Sequence, residues 1–548
     1  MKKISLMSVE KITVRIILLS VIFSSCTQNK IKVWVASPWK QVMGNTLPGN
    51  LQSVSLKAAS NEFEPFSIII HNDGDHQVTG LNVTTSSLKS HDGEITLENI
   101  KLYRANFINI SKPSPYTSNS AGWYPDALIP FMKKGPGSEG VNATYIAAPF
   151  SVDTSQNALI WCDLYIPKGT KAGIYQGKVT VTLRDRKLSD IPVTLEVWDF
   201  ELPEKIAMAS YFGSLNKAAN MLDMNVDSEE FQKMEDLYNS ELLNNRAVPS
   251  TPDNIWPEWN EKEGIIERGE AERIKHLVEY DHFNALDIPF RYPDEPEKCR
   301  KYLAATAEWL KKLNYLDIAY VYMEDEPNNA KQYEIVRNQG ALIKSANPEI
   351  GRMCTEQTVT SDPKWGTLYG AVNIWCPLLG LWDENTARER LASDEKLWSY
   401  TALCQGPEDT PWWEIDMAPL NYRSPLWLSW KYDITGFLYW SSVYWGKSKT
   451  LEQAWMTPLY NGFWGEGTLL YPGKPAGIEG FVPSIRLKLY REAEEDYEYM
   501  TLAAKIGKRE EVNKIVNDIV TSFQSWNHDI NAYSMARARI AELIVKSK

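Results

Sequence analysis

The sequence predicts a multidomain α/β plus β protein: an N-terminal β-sandwich, then a (β/α)8 TIM-type barrel, then C-terminal helices. Three observations carry that expectation. From Lys30 to Asp199 short alternating strands are punctuated by turn signals, with no convincing helix. Beyond Phe200-Glu201-Leu202-Pro203-Glu204, strands alternate with helical segments, as in an α/β unit. From Pro483 onward apolar residues recur at helical spacing. The expected boundaries are a leader over 1–26, the sandwich over 27–200, the barrel over 201–480 and a helical segment packed on the barrel over 481–548.

The leader comes first. Lys2, Lys3, Lys11 and Arg15 precede an apolar run from Ile16 to Phe23 that ends in Ser24-Ser25-Cys26. The run is too short to span a bilayer as a mature helix, and its basic front makes it a signal peptide. Its end resembles a bacterial lipobox. Cys26 is therefore expected to be the lipidated mature N-terminus, which would tether the protein to the cell envelope, periplasmic or at the outer surface.

In the sandwich, Val54–Ala58 and Lys178–Leu183 alternate, whereas Phe66–Ile70 is continuously apolar. Asn72-Asp73-Gly74, Pro167-Lys168-Gly169 and Lys171-Ala172-Gly173 mark turns between strands. The barrel strands are expected at 208–213, 246–249, 285–290, 317–323, 352–355, 372–377, 397–401 and 436–440. Eight strands over roughly 240 residues match a closed barrel, which typically needs about 250. Helices are clearest at 303–312 and 328–346, the latter with Tyr333, Val336, Gly340 and Ile343 on one face. The last segment opens with Ser484 as a helix cap and places Ile485, Leu489, Ala493, Tyr497 and Met500 in register. Its acidic residues Glu492, Glu494, Glu495 and Glu498 are expected to face solvent.

Composition narrows the function. The 548-residue chain is 43% hydrophobic and carries a formal charge of −12 without a basic stretch, which argues against a nucleic-acid partner. Its six histidines form no pair at ligand spacing. Cys162, Cys299, Cys354, Cys376 and Cys404 are isolated, so neither a metal site nor a disulfide framework is expected, and no cofactor.

The chemistry centres on Asp317-Ile318-Ala319-Tyr320-Val321-Tyr322-Met323-Glu324-Asp325-Glu326-Pro327. A buried strand that delivers carboxylates at its carboxyl end and turns into a helix is where a barrel keeps its reactive groups. A solvated acidic turn that caps the next helix is the alternative for this stretch alone. Asp294-Glu295-Pro296 is a rival tripeptide. Eleven of the 21 tryptophans fall between Trp375 and Trp464. Aromatics at the mouth of an acidic barrel suit a glycan cleft, since sugar C–H faces pack on flat rings. Trp427 and Trp430 are expected in the core; Trp375, Tyr439, Trp440, Trp445 and Tyr471 are candidates for substrate binding. Adjacent acids on an extended chain point apart, so Asp325 and Glu326 do not flank a bond as an ordinary nucleophile and acid. They suit a substrate-assisted division of labour, in which Glu326 protonates the glycosidic oxygen and Asp325 orients a 2-acetamido group that attacks the anomeric carbon. An ordinary double-displacement enzyme would need a distant partner such as Asp383, Glu384, Asp416 or Glu466. A non-catalytic glycan-binding lipoprotein is the remaining alternative.

Tyr322-Met323-Glu324-Asp325-Glu326-Pro327 resembles the Asp-Glu-Pro catalytic signature of glycoside hydrolase family 123. The run Gly465-Glu466-Gly467-Thr468-Leu469-Leu470-Tyr471-Pro472-Gly473, followed by Pro483-Ser484-Ile485-Arg486-Leu487, is similar to its C-terminal signature. Ala59–Phe66 and Ala172–Gly177 are similar to its N-terminal β-domain, and related domain-of-unknown-function 4091 proteins share these runs. Glu466 stands where an aspartate is expected. The resemblance implies an exo-acting, retaining β-N-acetylgalactosaminidase-like enzyme, with Asp325 and Glu326 as its catalytic pair.

Overall fold

The computed structural model describes residues 30–131, 143–406 and 409–547. Cys26 and the expected leader lie outside them. Among the described residues, no helix is long and apolar enough to cross a membrane.

Two sheets build the N-terminal region. One orders Ile31–Ala36, Glu62–Asn72, Asn157–Ile166, Ile100–Ile110 and Gly122–Pro130; the other runs through Val54–Ser60, Arg186–Glu201, Gly173–Leu183, Val78–Thr85 and Phe150–Val152. The continuous apolar run Phe66–Ile70 has a simple cause. Ile68 and Ile70 fill the core between the two sheets, while Ile69 points the other way into the core shared with the C-terminal half. Its antiparallel partner repeats the pattern, with Ile160 and Cys162 inside the sandwich and Leu159 and Trp161 outside. A strand covered on both faces loses the alternation of a half-exposed one.

The second unit is a curled sheet of seven parallel strands. Their order is Ala209–Tyr211, Gly436–Tyr439, Lys396–Thr401, Ile374–Trp375, Gly351–Cys354, Ala319–Tyr322 and Leu286–Asp287. The last strand in sequence pairs with the first, as a ring requires. The ring is left open at one place. The expected strand at 246–249 does not form; the Phe212 N–H donates to the Val248 carbonyl (3.0 Å), the Val248 N–H goes to the Ser210 hydroxyl (2.9 Å), and just beyond, the Ser250 N–H donates to the Gly213 carbonyl (3.0 Å). Pro249 and Pro252, which have no N–H to give, interrupt any longer ladder there. A closed eight-stranded barrel is thus corrected to an open, seven-stranded one.

Helices cover the outer face. Asn329 caps Ala330–Ala346 by accepting the Gln332 N–H at 3.1 Å, and Tyr333, Val336, Gly340 and Ile343 are its buried residues. Gly340 lets this helix approach the chain at Ala371, whose carbonyl oxygen would lie 2.6 Å from an added Cβ. Ser484 caps the helix Ile485–Lys505, accepting the Leu487 N–H at 3.1 Å.

That last helix departs from expectation. Glu492, Glu494, Glu495 and Glu498 do not face solvent; all are buried. The helix is wedged between the sandwich and the curled sheet, so both of its sides are covered and its charges meet fixed partners. Arg491 grips Asp163 (2.6 and 3.0 Å), Arg486 grips Asp126 (2.9 Å), Asp496 holds Arg423 (2.6 Å) and Glu495 holds Arg246 (3.1 Å). Glu494 is the least compensated. Burial first, then the charge of Glu498, holds its carboxyl well above the usual carboxylate range. In the unfolded chain Glu494 ionises near pH 4.3, about the ordinary value. Above that pH the native state keeps a proton that the unfolded state has released, so this group lowers stability as pH rises, by up to about 1.4 kcal/mol per unit. Glu494→Gln is therefore expected to raise Tm more at pH 8 than at pH 5. Equal shifts at both pH values in thermal melts would exclude it.

Candidate active site

The carboxyl ends of the parallel strands converge on the acidic turn. The strand Ala319–Tyr322 follows a 3-10 turn at Leu316–Ile318 and stops before Met323. Asp325 and Glu326 are exposed at its end, and Pro327 is buried behind them. The two carboxylates are held by different strands. Asp325 Oδ1 accepts the Tyr322 hydroxyl at 2.6 Å and the Thr355 hydroxyl at 2.8 Å. Glu326 Oε1 accepts the Tyr400 hydroxyl at 2.5 Å and lies 3.4 Å from the Cys404 thiol. Tyr322, Thr355 and Tyr400 come from three different strand ends.

Glu326 sits at φ 45°, in the left-handed region that costs an ordinary residue of order 1–3 kcal/mol. The strain is held in place: the Glu326 N–H donates to Thr355 Oγ1 at 3.1 Å. Thr355 thereby secures both acids. The left-handed turn also explains how neighbouring carboxylates reach separate partners on one mouth.

The surrounding groups keep their protons. Burial first, then the charge of Glu326, pushes the Tyr400 hydroxyl far above its usual range, and burial followed by Asp325 does the same for Tyr322. Both remain donors. Below them Asp287 accepts the Tyr322 N–H at 3.1 Å, and burial raises its carboxyl to about 7.

The aromatic expectations divide. Trp440 is half-buried, with Tyr444 at 5.0 Å and Tyr460 at 6.0 Å between ring centroids. Its indole N–H donates to Glu466 at 2.5 Å. Glu466 also accepts the Leu403 N–H, one residue before Cys404, which links Trp440 to the Glu326 side of the mouth; burial raises the Glu466 carboxyl to about 7. Gly467 is required here, because a Cβ would come within 2.5 Å of the Trp440 ring at φ 71°. The other four candidates are corrected. Trp375, Tyr439, Trp445 and Tyr471 are buried in the packed interior, so no sugar reaches their rings. Trp375 donates to Glu395, Trp445 to the Leu470 carbonyl and Tyr471 to Asp126, while the Tyr439 hydroxyl accepts the Gly467 N–H. Aromatic richness served core filling at these positions. Trp375→Ala is expected to cost about 3–5 kcal/mol of stability, whereas Trp440→Ala is expected to weaken substrate binding with a much smaller loss. Melts beside KM measurements separate the two; an early-melting Trp440→Ala with normal KM assigns that ring to the core as well.

The distant acids are occupied elsewhere. Asp383 caps Glu384–Ala392 by accepting the Thr386 N–H, Glu384 pairs with Arg388, and Asp416 accepts the Ser114 N–H at 2.7 Å. In the rival tripeptide, Glu295 pairs with Lys298 at the start of Pro296–Leu313. Trp427 and Trp430 are buried in the core. Among the described residues, no group of three or more His, Cys, Asp or Glu could hold a metal ion. Sequence reasoning missed Thr355 and Tyr400. Their signal was present, since both fall within expected strands, at polar positions near the carboxyl ends.

Comparison with known proteins bears directly on this geometry. Residues 269–503 match the family model "Glycoside hydrolase 123, catalytic domain". The structure aligns with a family 123 glycoside hydrolase from Clostridium perfringens, reported in connection with glycolipid glycan hydrolysis. The TM-score is 0.66 at 14% identity, over 95% of this chain and 98% of the other. A family 39 glycoside hydrolase from Bacteroides cellulosilyticus aligns over 83% of this chain and 82% of its own at 10% identity, with a TM-score of only 0.31. No curated protein matches. With the acidic turn, both of its supporting strands and the Gly465–Gly473 run all inside the matched segment, the chain carries a glycoside hydrolase family 123 catalytic domain, which indicates a glycosidase.

Proposed function

We propose that the protein is an exo-acting, retaining glycosidase that removes a terminal β-linked 2-acetamido sugar, N-acetylgalactosamine by family resemblance, by substrate-assisted catalysis. The observation that supports this reading is the separate anchoring of Asp325 and Glu326. Asp325 receives two hydroxyl donors on Oδ1, and among the described residues nothing occupies Oδ2. That free oxygen suits the acetamido N–H, turning the acetamido carbonyl oxygen toward the anomeric carbon. Glu326 receives Tyr400 on Oε1, which makes Oε2 the position of the transferable proton. As the glycosidic bond breaks, Glu326 gives that proton to the leaving oxygen while the carbonyl oxygen bonds to carbon, forming a cyclic oxazolinium-like intermediate. Asp325 stabilises its positive charge. Water, deprotonated by Glu326, then opens the ring from the same face with net retention.

A panel of aryl β-glycosides with and without the 2-acetamido group tests the reading. Turnover is expected only with the acetamido group. Equal turnover of unacetylated sugars assigns a double-displacement mechanism, and no turnover of any sugar assigns a non-catalytic glycan-binding protein.

We further propose that Cys26 is lipidated and anchors the enzyme to a bacterial envelope membrane, on the strength of Ser24-Ser25-Cys26 behind a short apolar run. Cys26→Ser is expected to move the protein from the membrane fraction to the soluble one. Persistence in the membrane fraction overturns the anchor.

A further inference from the structure

Where the expected second strand fails to form, the outer wall of the curled sheet is open. A cavity of about 750 Å³ lies there, between the helices Glu229–Leu243 and Glu270–Glu279. This volume is in the range of ligand sites. Neither Asp325, Glu326, Thr355 nor Tyr400 lines it. Neighbouring helices on a sheet ordinarily close such a seam with apolar ridges. Here the facing rows are polar instead: Glu235 and Asn239 on one helix, Glu272 and His276 on the other, each pair one turn apart.

Two features distinguish this seam from a merely wet gap. Asn239 lines the cavity and is only 8% exposed. Its carboxamide offers a ligand in the cavity both a donor and an acceptor. At the rim, Tyr280 is 68% exposed and stacks on His276 with ring centroids 5.3 Å apart, presenting a flat aromatic face beside the cavity. Glu235 adds an acceptor, with burial and then the charge of Asp253 raising its carboxyl to about 7.

We infer that this cavity is a second, non-catalytic carbohydrate site. A sugar ring stacks its C–H face on Tyr280 and bridges Asn239 and Glu235 with its hydroxyls, which give and accept hydrogen bonds at once. A simple cation is the poorer fit, because among the described residues no group of three or more His, Cys, Asp or Glu is placed to hold one. The site lies outside the catalytic mouth and does not depend on the catalytic assignment.

The test is affinity electrophoresis of the full chain through gels containing mucin glycans, comparing wild type with Tyr280→Ala and with Asn239→Leu. Both variants are expected to lose retardation, with an apparent affinity roughly five- to tenfold weaker. Turnover of a small aryl glycoside should be unchanged. Tyr280 is a surface ring, so its removal is expected to leave the melting temperature close to wild type. Retardation of the Tyr280→Ala variant equal to wild type, or no retardation of wild type at all, overturns the inference. So does stabilisation of wild type, but not of the variants, by spermidine or Ca²⁺ with no sugar effect. Because the readout is binding, an inactive enzyme that still shows the difference between wild type and variants would refute the catalytic reading alone.

Discussion

Glu326→Gln is expected to abolish practical turnover of natural, poorly activated glycosides, a loss of about 10²–10⁴-fold, while sparing in part the first step on activated aryl glycosides. The variant keeps the geometry. Its carbonyl oxygen can still accept the Tyr400 hydroxyl that now binds Oε1 at 2.5 Å. The amide nitrogen then occupies the place of Oε2 and has no acidic proton to give. A leaving group of low pKa departs without one, whereas a sugar alkoxide does not. The second step still lacks its base, so activated substrates should show a burst followed by slow release. The plot of log kcat/KM against leaving-group pKa should become much steeper than for wild type. Parallel lines for the two enzymes would remove Glu326 as general acid.

Asp325→Asn is expected to damage both substrate classes, by roughly 10²–10³-fold or more, because its charge is required whatever the leaving group. The two hydroxyl donors on Oδ1 decide how the asparagine sits. They select its carbonyl oxygen, which turns the amide N–H₂ toward the acetamido N–H of the substrate. Two donors then face each other and the positive charge of the intermediate has no counter-charge. Thiazoline mimics of that intermediate should bind wild type well and the variant poorly. Equal thiazoline affinity, with unchanged turnover, would refute the substrate-assisted role. The contrast between the two variants is the informative part: leaving-group dependence should change for Glu326→Gln and stay nearly constant for Asp325→Asn.

The sheet and its site were legible to different depths. Although the stretch alone left a solvated helix-capping turn equally open, the end of the strand at the acidic turn could be read directly, from an apolar run followed by three carboxylates and a proline. So could the helix Ala330–Ala346, whose buried residues follow from spacing alone. The helix caps Ser484 and Asn329 are local chemistry of the same kind. Strand 246–249 failed for an equally local reason, because Pro249, and Pro252 just beyond it, withhold N–H groups that a ladder needs.

What the sequence by itself determined was therefore whatever depends on near neighbours along the chain: strand and helix order, caps, and the position of Asp325 and Glu326 at a strand end. Only the tertiary structure decided which surfaces are covered twice. Glu492, Glu494, Glu495 and Glu498 read as a solvent face, yet the helix that bears them is wedged between the sandwich and the curled sheet, and its Glu495 meets Arg246, far away in sequence. The same is true of Trp375, Trp445, Tyr439 and Tyr471, where an aromatic at a strand end suits a cleft or a core equally well and packing from distant segments chooses the core. Thr355 and Tyr400 became partners of the acids only because parallel strands place their carboxyl ends side by side. Long-range contacts set burial, and burial sets whether a charge or a ring is available for chemistry.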